Sequence, residues 1–179
     1  MSDRIKSTVF IALSAVVIAV CAWIQLPLLS IPYSMQSFGV FLVIGILGGR
    51  RAFFAISVYL ALGALGLPVF AGFTGGLGRL FGETGGFLLS FPFIALIFSL
   101  FTFLFRGKAL FRLASMLLGQ LVSYAMGAFW FWFFYARGGG ESSFLGIVSV
   151  CVLPFLLFDV IKIIFASAIS DRLKRILEI

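Results

Sequence analysis

The chain has 179 residues, of which 63% are hydrophobic and only 11% are charged, whereas soluble domains carry about 25% charged residues. It contains no histidine and two cysteines, which excludes histidine-ligated metal sites, histidine acid–base chemistry and a disulfide framework. The net charge of +7 comes from basic residues at the ends of apolar segments, so it does not indicate nucleic-acid binding. The composition predicts one integral membrane domain over residues 1–179, surrounded by membrane lipid.

Six apolar segments follow one another along the chain. A helix needs about 20 apolar residues to cross a hydrocarbon core of about 30 Å. We expect the second and third segments to be separate helices, because Gly48-Gly49 favours a turn between them. A single fused helix would place Arg50 and Arg51 inside the membrane, at a free-energy cost of about 3 kcal/mol each. The sequence therefore predicts an all-α fold of six transmembrane helices, over residues 8–26, 38–47, 52–67, 84–105, 110–136 and 144–170.

The basic residues predict the orientation of these helices. In the six-helix arrangement most lysines and arginines fall on the side of the two termini, whereas only Arg79 and Arg137 fall on the other side. The excess of positive charge marks the cytoplasmic side. Both termini are therefore expected in the cytoplasm, and the loops at 27–37, 67–86 and 136–144 are expected outside. The second segment is too short to cross alone, so the loop before it is expected to dip into the membrane from outside.

A glycine-rich segment over residues 67–87, called the glycine cap below, separates the third and fourth predicted helices. Glycine permits close backbone approach, and irregular backbone at membrane depth is tolerated where it packs in protein or lines a cavity. A flexible external loop is the alternative. Aromatic and aliphatic residues between the glycines favour a folded cap over a binding cavity. Within it, Arg79 is either a partner for a ligand carboxylate or a solvated charge.

Asp159 and Lys162 are the only charged residues deep inside a predicted helix. Their i, i+3 spacing places them on one helical face. They could neutralise each other and only fix helix packing, but charges within a membrane are costly and usually functional. A carboxylate accepts N–H donors and an ammonium group donates to carbonyls. The pair therefore favours a small polar ligand in the outer half of the bundle.

Several less distinctive residues are further candidates. Ser34 and Gln36 precede the second helix, where they either form a turn or contact a ligand. Tyr124 and Trp130 lie on the fifth helix, where packing or an interfacial position is the alternative to ligand contact. Small residues form a stripe along the first helix, at Ala12, Ala15, Ala19 and Ala22. Such a stripe permits close approach of a helix, either from a partner or from the same bundle.

Five motifs together resemble the BioY family, the biotin-binding S components of energy-coupling factor (ECF) transporters. They are residues 31–38 (IPYSMQSF), 66–72 (GLPVFAG), 75–78 (GGLG), 82–87 (GETGGF) and the run from Leu153 to Lys162. The resemblance implies the S-component fold, high-affinity biotin capture at the external face and no cofactor. It also implies that the alanine stripe docks on a membrane T component served by two ATPase subunits, in the cytoplasmic membrane of a prokaryote.

The resemblance also assigns roles around the ureido ring, thioether ring and carboxylate of biotin. Asp159 would accept the ureido N–H groups and Lys162 would donate to the ureido oxygen. Further hydrogen bonds would come from Ser34, Gln36 and Thr84, and ring packing from Phe73, Tyr124 and Trp130. The carboxylate would meet Arg79 or the backbone N–H groups of the cap, at Gly75, Gly76 and Gly85.

Two alternatives to an ATPase-coupled subunit stay open. The chain has no Gly-x-x-x-x-Gly-Lys-Ser/Thr motif for nucleotide binding. The energy for transport would therefore come from a partner protein. Alternatively, the chain is a solitary or oligomeric biotin carrier that transports biotin down its concentration gradient. An intramembrane enzyme is disfavoured because the chain has no Gly-x-Ser-x-Gly motif, no paired carboxylates and no histidine.

Overall fold

The computed structural model describes residues 3–26, 33–106, 108–137 and 143–177. The helices are α1 (Asp3–Trp23), α2 (Gln36–Leu47), α3 (Gly49–Ala64), α4 (Leu77–Leu80), α5 (Gly85–Leu104), α6 (Ala109–Arg137), α7 (Phe144–Cys151) and α8 (Leu156–Leu177). A 3-10 turn, Leu153–Phe155, precedes α8. Two short strands, β1 (Gln25–Leu26) and β2 (Tyr33–Ser34), pair antiparallel. Parts of two predicted loops, residues 27–32 and 138–142, lie outside the described residues.

Within the described residues, four helical stretches are long and apolar enough to cross a membrane: Arg4–Trp23, Gly85–Leu104, Ala109–Arg137 and Phe144–Ile176. The chain is therefore a multi-pass, all-helical membrane protein. Helices α2 and α3 have 12 and 16 residues. At 1.5 Å per residue they are about 18 Å and 24 Å long, which is less than the hydrocarbon thickness of about 30 Å.

The first and third helices end earlier than their apolar runs. Helix α1 begins at Asp3 instead of residue 8. It ends at Trp23 because the Ile24 carbonyl accepts the Met35 N–H at 2.9 Å, and the chain there enters β1. Helix α3 ends at Ala64 because Gly66 adopts a left-handed φ of +96°. The Gly66 N–H donates to Gly63 and the Leu67 N–H to Leu62, which is the Schellman pattern of a helix terminus.

The predicted helix over 144–170 is interrupted in the structure. Helix α7 ends at Cys151 and α8 starts at Leu156, with Pro154 in the 3-10 turn between them. Proline cannot donate a helical hydrogen bond and clashes with the carbonyl four residues earlier. The break matters for the site, because it brings Cys151 and Phe155 to the wall of the cavity described below.

The alanine stripe of α1 faces the interior of the bundle. Ala15, Ala19 and Ala22 are at most 4% exposed, whereas Ala12 is exposed. Helix α1 packs against α2 and α3, and small side chains permit that close packing. The outward face of α1 is aliphatic instead, at Leu13, Val16, Val17 and Val20. The stripe predicted to dock a partner is thus largely covered by this chain's own helices.

The glycine cap is folded over one end of the bundle. Phe70 and Thr74 form an isolated antiparallel bridge, and the Phe70 ring lies on Gly63 of α3, where a Cβ atom would collide with it. The Trp23 indole N–H donates to the Pro68 carbonyl at 2.8 Å, and the Trp130 indole N–H donates to the Gly82 carbonyl at 2.9 Å. Helices α1, α3 and α6 therefore all hold the cap.

The other end of the bundle is closed by an ion pair. Arg112, near the start of α6, lies 2.9 Å from Asp171, near the end of α8, and a second contact of 3.1 Å makes the pair bidentate. These residues lie at the ends of α6 and α8 that are remote from the cap. The two ends of the bundle therefore differ: one carries basic residues and this ion pair, and the other carries the glycine cap and a cavity.

Candidate functional site

A cavity opens beneath the glycine cap. The space inside it, together with the open space at its mouth, amounts to about 970 Å³. Polar residues on its wall are Tyr33, Ser34, Gln36, Ser37, Arg79, Thr84, Gln120, Ser123, Tyr124, Cys151 and Asp159. Its apolar wall consists of Phe70, Ala71, Phe87, Leu88, Phe91, Phe131 and Phe155. The cavity therefore combines an aromatic-rich apolar wall with convergent polar groups, as ligand sites do.

Asp159, in the first turn of α8, is the centre of a buried hydrogen-bond cluster. Its Oδ1 accepts from the Tyr33 hydroxyl at 2.6 Å and from Ser37 at 3.3 Å. Its Oδ2 accepts from the Gln120 amide at 2.9 Å and from the Tyr124 hydroxyl at 2.5 Å. Four neutral donors from β2, α2 and α6 thus converge on one carboxylate, which is 5% exposed.

Lys162 lies one helical turn beyond Asp159 and completes the cluster. Its Nζ is 3.4 Å from Asp159 Oδ1, and it donates to the Ser34 carbonyl at 2.7 Å and to Ser37 Oγ at 3.1 Å. It also lies over the Tyr33 ring, 3.5 Å from the ring centre. Of the three N–H donors of the ammonium group, two are therefore hydrogen-bonded to Ser34 and Ser37, and Asp159 is the ion-pair partner. Lys162 neutralises and positions Asp159 but does not line the cavity.

The cluster determines which polar atoms a ligand meets. A carboxylate offers about four acceptor positions, and protein donors occupy those of Asp159. A ligand N–H therefore reaches Asp159 only by displacing a donor such as Tyr124. Gln36 and Gln120 also line the cavity. Each donates one amide N–H to the protein, and no described residue donates to either amide oxygen, which leaves two acceptors for a ligand.

Gln36 also connects the cavity wall to the cap. Its amide donates to the Tyr59 hydroxyl at 2.8 Å, and that hydroxyl donates to the Val69 carbonyl at 3.2 Å. The Tyr59 ring packs edge-on against Phe70, with ring centres 5.5 Å apart. A ligand that contacts Gln36 would therefore act on a chain of contacts that ends in the cap.

The structure brings together about half of the residues predicted for the site. Those on the cavity wall are Ser34, Gln36, Arg79, Thr84, Tyr124 and Asp159. Phe73 is not among them, because its exposed ring stacks on Trp23 with ring centres 5.0 Å apart. Trp130 is not among them either, because its indole N–H is held by Gly82 and its ring packs near Phe81.

The predicted glycines have structural positions in the cap. The Gly76 N–H donates to the Gly63 carbonyl at 2.7 Å, and the Gly85 N–H donates to the Gly82 carbonyl at 2.9 Å. Gly75 lies against the Leu67 carbonyl, in a space that a Cβ atom would fill. The backbone donors of Gly76 and Gly85 are thus engaged within the protein.

Sequence reasoning missed several residues of the site, above all Tyr33, Ser37, Gln120 and Ser123. One signal was present for two of them. Gln120, Ser123 and Tyr124 follow the i, i+3, i+4 pattern of one helical face in an otherwise apolar span. Tyr33 and Ser37 carry no such pattern, because β2 and the start of α2 direct them to Asp159 only through the tertiary fold.

A buried polar cluster among membrane helices, beneath a cap and next to a short helix, is typical of the substrate site of a membrane transport protein. The chain belongs to the BioY family, whose model matches residues 1–179. This confirms the resemblance found in the sequence.

Relatives and a solved structure agree with this family. The chain is 39% identical to "Biotin transporter BioY" of Thermotoga maritima over 98% of both chains. It is 36% identical to "Probable biotin transporter BioY" of Pyrococcus horikoshii, over 96% of this chain and 98% of the relative. The fold matches the crystal structure of an S-component for biotin from an ECF-type ABC transporter with a TM-score of 0.83 and 25% identity, covering 98% of this chain and 95% of that one.

Proposed function

We propose that this chain is the membrane-embedded, biotin-binding subunit of a biotin uptake system, and that biotin binds in the cavity under the glycine cap. The observation that carries the proposal is the buried cluster around Asp159, which is costly within a membrane and faces the cavity. The full-length similarity to biotin transporters supports the choice of ligand.

The chemistry of the cavity is complementary to the head of biotin. A ureido group has two N–H donors and one carbonyl acceptor. The amide oxygens of Gln36 and Gln120 are free to accept N–H groups, and the Thr84 hydroxyl can donate to a carbonyl. The apolar thioether ring would pack among Phe87, Phe91 and Phe131. In this arrangement Asp159 acts mainly by orienting Gln120 and Tyr124.

We further propose six membrane crossings with both termini in the cytoplasm and the cavity open to the outside. Support comes from the basic residues, which concentrate at the end of the bundle that holds the Arg112–Asp171 pair. Single cysteines at Gly78 in the cap and at Arg106, in a variant without Cys21 and Cys151, test the orientation. We expect an impermeant maleimide to label Gly78→Cys in intact cells and Arg106→Cys only after lysis. The reverse pattern would overturn the proposed orientation.

For energy coupling, we propose that the chain works with a T component and two ATPase subunits in the cytoplasmic membrane of a prokaryote. The similarity to an ECF S-component structure supports this. Because Ala15, Ala19 and Ala22 are buried, docking would use the outward aliphatic face of α1 around Ala12. Biotin uptake by proteoliposomes that contain the chain alone would instead favour a solitary or oligomeric carrier.

Equilibrium binding of labelled biotin to the purified chain in detergent tests the ligand assignment. Desthiobiotin, which keeps the ureido ring and carboxylate, and thiamine, which has neither, serve as competitors. We expect saturable binding that desthiobiotin reduces and thiamine does not. Absence of binding by a well-folded sample would contradict the proposal.

A further inference from the structure

Two serine hydroxyls form a buried pair between α5 and α6. Ser90 on α5 is 0% exposed and Ser123 on α6 is 2% exposed. Their Oγ atoms lie 2.6 Å apart, and the Ser90 hydroxyl also donates to the Phe87 carbonyl at 2.6 Å. Ser123 lines the cavity, whereas Ser90 does not. The pair therefore connects the interior of α5 with the wall of the site.

The position of one hydrogen atom determines what Ser123 offers to a ligand. A serine hydroxyl has one O–H donor and two acceptor lone pairs. A carbonyl oxygen can only accept, so the Ser90 hydrogen is used by Phe87. The contact of 2.6 Å between the two hydroxyls then requires Ser123 to donate and Ser90 to accept. Ser123 has no second hydrogen, so only acceptor lone pairs remain for the cavity.

From this arrangement we infer that Ser90 is a positioning residue, which holds the Ser123 hydroxyl as a hydrogen-bond acceptor and thereby makes the site select a ligand N–H at this point. The inference rests on the proposed function and adds to it the direction of one contact. With biotin, one ureido N–H would meet Ser123, and the other would meet an amide oxygen of Gln36 or Gln120. A ligand with an acceptor at this point would instead place two acceptors face to face, which leaves both unpaired in a confined space.

The probes for this contact are two carbamate analogues of biotin, in each of which one ureido N–H is replaced by a ring oxygen. The replacement keeps the shape of the ring and turns a donor into an acceptor. Dissociation constants of biotin and both analogues are measured in detergent for the wild type, Ser90→Ala, Ser90→Cys and Ser123→Ala. Ser90→Cys nearly keeps the side-chain volume, but sulfur is a weak acceptor. The matched control is Ser115→Ala, because Ser115 is also a buried serine of α6 but donates to the Arg112 carbonyl and does not line the cavity.

We expect the wild type to prefer biotin by about tenfold or more to the analogue whose ring oxygen faces Ser123. In Ser90→Ala and Ser90→Cys the Ser123 hydrogen is released and can point to that ring oxygen. The preference should therefore fall to about threefold or less, with the analogue bound at least as tightly as by the wild type. Ser123→Ala should also lose the preference, and Ser115→Ala should keep it. The preference over the other analogue should stay the same in both Ser90 variants.

A role of the serine pair in helix packing alone would not raise the affinity for one analogue relative to biotin. Unchanged preferences in either Ser90 variant or in Ser123→Ala would overturn the inference and leave the proposed function intact. Loss of all binding in both Ser90 variants, or a wild type that binds biotin without preference over either analogue, would do the same. A wild type that binds none of the three ligands would overturn both.

Discussion

Replacing one member of the buried Asp159–Lys162 pair leaves the other charge unpaired inside the membrane. The two groups are 3.4 Å apart and each residue is 5% exposed. At an effective dielectric constant of about 20, their Coulomb attraction is about 5 kcal/mol, part of which is offset by desolvation. Removing one partner of a buried pair typically costs about 3–5 kcal/mol. We therefore expect Asp159→Asn and Lys162→Met each to lower the free energy of unfolding by about 3 kcal/mol.

The double variant distinguishes pairing from simple loss of contacts. In Asp159→Asn/Lys162→Met no charge is left unpaired, so its destabilisation should be smaller than the sum of the single effects by about 2–3 kcal/mol. The measurement is reversible unfolding of the four proteins in mixed micelles. The Arg112→Met/Asp171→Asn cycle serves as a comparison, because that pair is 21% and 36% exposed and should couple by about 1 kcal/mol or less. Additive effects at Asp159 and Lys162 would refute the reasoning.

Three further predictions concern the cavity and its cap. Gln120→Leu removes an acceptor from the cavity wall and a donor to Asp159. It should weaken biotin binding about tenfold in equilibrium titrations, and an unchanged affinity would exclude Gln120 from the site. Gly63→Val places a side chain into the Phe70 ring and should lower the free energy of unfolding by about 1–3 kcal/mol, whereas the same change at exposed Gly78 should cost less. Trp130→Phe removes the hydrogen bond to Gly82, worth about 1 kcal/mol, and should speed biotin release in stopped-flow displacement; an unchanged release rate would mean that this contact does not hold the cap.

The apolar segments and their separators were enough to predict an all-helical membrane protein and the approximate position of every long helix. Helix ends were less predictable, because hydropathy does not report where backbone hydrogen bonds change partner. Trp23 ends α1 because Ile24 and Met35 pair across a loop. Pro154 was visible in the sequence, but only the fold shows that it divides the last apolar run into α7 and α8.

The site residues that could be predicted from the sequence were the charged side chains in apolar helices. Asp159 is conspicuous because a carboxylate in an apolar helix is costly, and it lies at the centre of the cluster. Lys162 was equally conspicuous, yet spacing could not show that it donates to Ser34 and Ser37 and pairs with Asp159 instead of lining the cavity. Aromatic residues were the least predictable, because Phe73 in the cap and Phe91 in α5 look alike in sequence and only the latter lines the cavity.

The most direct test of the central claim, that biotin binds beneath the cap, is the dissociation constant of biotin for Thr84→Trp. Thr84 is on the cavity wall, so a tryptophan there would occupy ligand space. Phe73→Trp is the matched control, because Phe73 belongs to the same cap but is exposed and off the wall. The account predicts that Thr84→Trp loses most biotin affinity and that Phe73→Trp keeps it. Wild-type affinity in a folded Thr84→Trp protein would contradict the account and place the ligand elsewhere.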